Sequence, residues 1–276
     1  EHLAAGNSYE LCLTAQTQIV VPKSRRSSNH DSSSSWELFK KLQRKNPAPH
    51  SGYLRLHPTT VLSSSPERFL SYSRPPHQTY QLRPIKGTLR KTATTTRQDA
   101  EVALRGSTKE VAENLMIVDL IRHDLHGVVG ENVEVKKFCG IEEYETVWQM
   151  VSVVQGKSTP STQTIAPTEN HISPTPIAAD TCDKGWEVLR QCLPPGSMTG
   201  APKKRSVEIL RDLEDGPRRI YSGVLGYWDA GGGGDWAVVI RTCFKMDADD
   251  GGDSNQNAND VVDDGDGKRL GTDTWT

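Results

Sequence analysis

Arg219-Ile220-Tyr221-Ser222-Gly223-Val224-Leu225-Gly226-Tyr227-Trp228 and Asp235-Trp236-Ala237-Val238-Val239-Ile240-Arg241-Thr242-Cys243-Phe244 flank Gly231-Gly232-Gly233-Gly234, and their reading decides the fold. Two strand-like runs on either side of a flexible glycine turn predict a β-hairpin. Short strands are predicted at 53–56, 60–63 and 68–72 as well. Helical patterns are fewer. Ser107 and Glu110 have capping-box spacing and open a helix to about 125, with Val111, Leu115, Val118 and Leu125 on one face. Pro202 at a first-turn position opens another through 213, with Val207, Leu210 and Leu213 inward. Strands that form hairpins more than they alternate with helices predict an α+β fold rather than a doubly wound sheet.

The 276 residues carry 33 Lys+Arg against 35 Asp+Glu, with a sequence pI of about 6.5. That length supports one large domain or two small ones. Near neutrality, with no basic cluster beyond Lys203-Lys204-Arg205, argues against a nucleic-acid partner. No apolar run reaches the roughly 18 residues of a membrane span, and none near the start resembles a signal peptide. A soluble, cytoplasmic protein with no membrane association is expected. Cys12, Cys139, Cys182, Cys192 and Cys243 are odd in number and form no C-x-x-C pair, so they read as reduced thiols. Glu1 as the first residue and the abrupt finish at Thr276 read as cuts within a longer chain.

Polar insertions are expected at about 25–35, 158–176 and 247–266, within a single but partial catalytic domain spanning 1–276. The first is serine-rich, the second holds eight Ser/Thr and four Pro, and the third holds eight Asp without Lys or Arg. Such segments bury too little apolar surface to offset their ordering entropy. The acidic run lacks the spacing of an EF-hand loop.

Chemistry concentrates elsewhere. Pro84-Ile85-Lys86-Gly87-Thr88 sets one lysine between an apolar residue and a glycine. An ammonium has no free lone pair, so a nucleophilic lysine needs burial or a neighbouring cation to lower its pKa. The alternative is a solvated lysine at a strand end, the common state of the residue. Glu113 lies on the predicted helix, off its apolar stripe, where a carboxylate suits Mg²⁺ or simply faces water. Gly196-Ser197-Met198-Thr199-Gly200-Ala201-Pro202-Lys203 runs into a helix start and reads either as an anion-holding turn or as a structural helix entry. Arg241, inside a strand that otherwise reads as buried, fits a carboxylate or an edge position, and Tyr221 taken singly reads as core.

Ser65-Pro66-Glu67-Arg68-Phe69, the 84–88 stretch, the Glu113 helix, 196–203, Tyr221-Ser222-Gly223 and Ile240-Arg241-Thr242 occur in the order seen in chorismate-utilising enzymes. The chain resembles that family from about Tyr9 to Thr242, in particular the synthase component of its aminodeoxychorismate branch, and more distantly anthranilate synthase component I. The resemblance implies a two-sheet α+β sandwich flanked by helices, holding chorismate and Mg²⁺. It implies Glu113 as a magnesium ligand and Glu67 as the acid that protonates the departing C4 hydroxyl. Arg241 and Tyr221 would contact the enolpyruvyl carboxylate, and Gly87, Thr88 and Ser197 would line the substrate.

Lys86 selects the branch, because the resemblance implies a lysine that attacks C2 of the ring in the aminating enzymes, where anthranilate synthases carry alanine. The resemblance also implies that Glu10, in Gly6-Asn7-Ser8-Tyr9-Glu10-Leu11, takes the position of the lysine with which water-adding relatives activate water, which disfavours that branch. The implied reaction is amination of chorismate to 4-amino-4-deoxychorismate, with ammonia from a glutamine amidotransferase domain or subunit, towards 4-aminobenzoate and folate. Two departures stand out. Gln149 replaces the histidine of many members and cannot carry a proton, and the family's further glycine-rich and glutamate motifs would follow Thr276. Anthranilate synthase component I and a catalytically inert fragment or interaction module remain the alternative expectations.

Overall fold

Val147–Lys157 is the strand on which one half of the fold is built in the computed structural model, which describes residues 1–22, 31–158, 183–246, 261–263 and 269–276. Its central residues Met150, Val151, Val153 and Val154 are buried, the continuous apolar run of a strand covered on both faces. Along one edge it pairs first with Thr79–Leu82 and then with Ile85–Arg90, and along the other with Val133–Glu143. Beyond Thr79–Leu82 lie Arg68–Tyr72, Gly234–Val238 and Val224–Trp228, completing a seven-stranded antiparallel sheet.

The helix Thr108–Val129 packs against this sheet through Ile117, Val118, Ile121 and Leu125. Burial of each such side chain contributes about 1.5–3 kcal/mol. The helix opens with the Ser107 side chain accepting from the Glu110 N–H, as the capping spacing predicts. Helices Arg97–Arg105, Asp183–Cys192 and Lys203–Leu213 belong to the same compact unit, made of residues 1–13, 67–214 and 222–238.

A second unit comprises residues 14–66, 215–221 and 239–276. One of its sheets joins His50–Leu56, Thr59–Ser65 and Thr242–Met246; the other joins Ile19–Pro22, Arg269–Trp275 and Val261–Asp263. The helix Asp31–Lys45 sets Trp36 and Phe39 against Tyr53, with ring centroids 5.2 and 5.6 Å from the tyrosine. The α+β class is as expected, and the strands predicted near 53–56, 60–63 and 68–72 all form.

Several details differ from expectation. The first hairpin arm begins at Val224, because residues 219–222 are turns with Arg219 and Ser222 at φ 54° and 66°. The second arm divides: Gly234–Val238 stays in the seven-stranded sheet, whereas Thr242–Met246 joins a three-stranded sheet of the second unit. A chain that changes sheets must break its ladder, and Arg241 at φ 50° stands in that break.

Leu115 is exposed where Ile117 and Ile121 are buried, since apolar residues surround this helix and periodicity alone does not select its inner stripe. In the next helix Ser206, Ile209 and Leu210 face inward and Val207 and Leu213 outward, and Pro202 is its cap rather than its first residue. Residues 31–35 belong to a helix, with Ser35 buried against the Tyr53 hydroxyl at 3.0 Å. The rest of the first expected insertion, nearly all of the second, and 247–260 and 264–266 of the third lie outside the described residues. Cys12, Cys139, Cys192 and Cys243 are free thiols, as expected; Cys182 lies outside the described residues.

Candidate active site

Lys86 occupies a β-bulge. Ile85 pairs with Val151 and Thr88 with Gln149, so three steps along one strand oppose two along the other. A bulge bends its strand and re-aims a side chain. Gly87 permits it: its φ of +87° disfavours any side chain, and a Cβ there would meet Leu104 at 3.2 Å and the Glu110 carboxylate at 3.3 Å. Lys86 is thereby turned inward, its side chain only 14 % exposed, and its Nζ donates to Glu10 Oε1. The sequence asked for burial or a neighbouring cation; the structure supplies burial and a carboxylate.

Glu10 is held by its backbone. Its two-residue strand Glu10–Leu11 pairs with Gly200–Ala201, and the Tyr9 N–H donates to the Ala201 carbonyl at 2.8 Å. Ser8 Oγ lies 2.8 Å from the Glu10 carbonyl and 2.9 Å from that of Ala201. Gly200, at φ +121°, allows the close approach, since a Cβ would stand 2.0 Å from the Glu10 carbonyl oxygen. One carboxylate oxygen of Glu10, Oε2, is buried without a hydrogen-bond partner.

Glu67 precedes the strand Arg68–Tyr72, and its carbonyl accepts from the Val238 N–H at 3.0 Å. Burial pushes its carboxyl up to about 7, against the opposing pull of the Ser197 hydroxyl, the Lys86 charge and the Ile85 N–H. Ser197, in the short turn Gly196–Met198, donates to Glu67 Oε1 at 2.9 Å. Desolvation therefore outweighs three groups that favour the anion, leaving a carboxyl that still carries its proton near neutrality, as a general acid requires.

Beside this pair lies a hollow of about 10 Å³, lined among others by Glu67, Pro84, Asp124, Cys192 and Ser197, enough for about one water. Lys203 Nζ donates to Asp124 Oδ2 at 2.6 Å and to the Cys192 carbonyl at 2.8 Å. Burial, helped by Asp124, pushes the Cys192 thiol up to about 12, which leaves it inert as a nucleophile.

Thus the structure brings Glu67, Lys86 and Ser197 together, and Thr88 meets Gln149. The Gln149 amide donates to Thr88 Oγ1 at 3.4 Å, while its own carbonyl oxygen is buried without a partner. Glu113 lies on the helix of the same unit with its side chain 24 % exposed, 3.7 Å from Lys109. Among the described residues no group of three or more His, Cys, Asp or Glu could hold a metal. Tyr221 and Arg241 fall in the second unit. Tyr221, expected on a strand, is in a turn, where it helps line a cavity of about 290 Å³ with Gln16, Thr17 and Phe244. Arg241, expected within a strand, is exposed at the sheet change, its carbonyl accepting from the Ser64 N–H at 3.1 Å. Glu110 was legible only as a helix-capping residue, not as a neighbour of Gly87, and Glu10 only as a branch marker.

The class of protein is given by the family of chorismate binding enzymes, which matches residues 1–251, and the chain belongs to that family. It is 38 % identical over 265 residues to the aminodeoxychorismate synthase of Saccharomyces cerevisiae, covering 89 % of this chain and 30 % of that protein. To aminodeoxychorismate synthase component 1 of Salmonella typhimurium it is 38 % identical over 210 residues, covering 75 % of this chain and 41 % of that one. The crystal structure of anthranilate synthase component I from Streptococcus pneumoniae shares the fold, with a TM-score of 0.64 at 24 % identity over 88 % of this chain and 46 % of that one. The chain spans about 30 % of the length of the first curated relatives it matches.

Proposed function

We propose that the protein to which this chain belongs aminates chorismate to 4-amino-4-deoxychorismate, with Lys86 as the covalent nucleophile. The observation that carries this reading is a buried lysine whose charge acts on Glu67, an acid whose carboxyl burial pushes up to about 7. Hydroxide is a poor leaving group, so loss of the C4 hydroxyl needs a proton donor, and Glu67 supplies it while Lys86 Nζ bonds to C2. Ammonia then enters at C4 and displaces the lysine. Ser197, Thr88, Gly87 and Gln149 would line the substrate.

Magnesium belongs to the same reading. Glu113 offers a single carboxylate, too little for a protein cage but consistent with an ion that keeps water and substrate oxygens in its shell. When bound, Mg²⁺ would neutralise the ring carboxylate. Ammonia would come from a glutamine amidotransferase, a reading supported by the Salmonella relative's being named as component 1 of its synthase. Free cysteines support a reducing compartment such as the cytoplasm.

The test is incubation of the full-length protein with chorismate, Mg²⁺ and ammonium, followed by chromatography. Aminodeoxychorismate is expected. Anthranilate without aminodeoxychorismate would overturn the reading, and chorismate turnover by the 276-residue chain itself would exclude an inert fragment.

A further inference from the structure

We propose that Glu10 is the positioning residue and proton acceptor that converts Lys86 from an ammonium into a nucleophile, a role that rests on the covalent amination proposed above. Lys86 Nζ donates directly to Glu10 Oε1, with both side chains about 15 % exposed or less. The second oxygen, Oε2, is buried without a partner and so has acceptor capacity to spare. The backbone of Glu10 is fixed by the Gly200–Ala201 pairing and by Ser8, with Ser206 Oγ 3.4 Å from its carbonyl.

Other acids face this lysine. The Lys86 charge acts on Glu67, and Glu110 abuts Gly87. Glu67 must hold its own proton when the hydroxyl leaves, so it cannot take another in the same step. Glu110 belongs to the helix Thr108–Val129, and the hydrogen bond from Nζ runs to Glu10.

The step balances. A proton passes from Nζ to Glu10, and the freed lone pair bonds to C2. The ring double bond shifts, the C4–O bond breaks, and Glu67 protonates the oxygen so that water departs. The adduct is a secondary ammonium. When ammonia attacks C4 the C2–N bond breaks, and the released amine recovers its proton from Glu10.

A carboxylate beside an ammonium also stabilises the charged form, and the two roles predict opposite results for its removal. Full-length wild type, Glu10→Gln and Glu10→Asp proteins are mixed with chorismate and Mg²⁺ without ammonium, quenched between pH 6 and 9, and the mass of the Lys86 peptide is followed. General-base assistance is worth about 10²–10⁴-fold. Glu10→Gln should therefore form the adduct at least about a hundredfold more slowly at pH 6.5 and regain about tenfold per pH unit relative to wild type at the same pH as solvent takes the proton. Chorismate KM should stay within a few-fold of wild type. Glu10→Asp, which keeps the carboxylate, should retain the wild-type pH profile at a reduced rate.

Adduct formation by Glu10→Gln as fast as wild type or faster at neutral pH overturns the proposal, as does a loss equal at every pH. If Glu10→Gln does not fold, a Glu10→Asp rate that climbs tenfold per pH unit relative to wild type overturns it instead. Wild type that aminates chorismate without any Lys86 adduct refutes the covalent reading itself, a failure distinct from that of Glu10.

Discussion

Glu67 can act as an acid only while it holds its proton, and burial sets that limit at about 7. Loss of the C4 hydroxyl should accordingly fall about tenfold per pH unit above that value, measured as kcat under saturating chorismate. Ser197 bonds the carboxylate and so favours its ionised form. Ser197→Ala should move the falling limb to higher pH, and a limb that stays in place or moves lower would contradict the acid assignment. Glu67→Gln should lower kcat by about 10²–10⁴-fold and abolish that limb. At this scale Glu67, Lys86 and Ser197 were legible because each sits in a compact motif. The Lys86–Glu10 pair was not, because the two residues are 76 positions apart and local pattern carries no information about such contacts.

Elements give a second class of outcome, because the site depends on where short strands and helix ends are pinned. Gly200→Ala places a Cβ 2.0 Å from the Glu10 carbonyl at a φ of +121°, so either the pairing opens or the backbone moves. A destabilisation of about 2–4 kcal/mol is expected from strain plus overpacking. It should appear as a lower urea midpoint, together with slower Lys86 adduct formation as Glu10 shifts. Ser107→Ala removes the cap of the helix Thr108–Val129 and should cost about 1 kcal/mol with the chemistry unchanged. The start of that helix was readable because capping is a local code. Its buried face was not, since Leu115 and Ile117 are equally apolar and only packing distinguishes them. Similarly, the 235–244 run reads as one strand, and nothing in its composition marks the sheet change at Arg241.

For the whole molecule, the burial that tunes Glu67 is also a cost in stability. Its carboxyl titrates at about 7 in the folded protein against 4.5 for the unperturbed group, so between those values the native state binds more protons than the unfolded state. Stability therefore falls as pH rises from about 4.5 to 7 and levels off above, the penalty reaching about 3 kcal/mol when the shift is converted at 1.36 kcal/mol per unit. Below the unfolded value both states are protonated and the penalty vanishes. Glu67→Gln keeps the shape and removes the charge, so it should stabilise the protein by up to about 3 kcal/mol at pH 8.5 and by almost nothing near pH 4, while losing amination. Urea unfolding at the two pH values gives both numbers, and two-state behaviour is checked by the constancy of the slope. Equal stabilisation at both would mean that Gln simply packs better, and destabilisation at pH 8.5 would mean that the ionised carboxylate is held by more than burial takes away. Only a gain confined to high pH ties the same proton to both the folding of this protein and the loss of hydroxyl from its substrate.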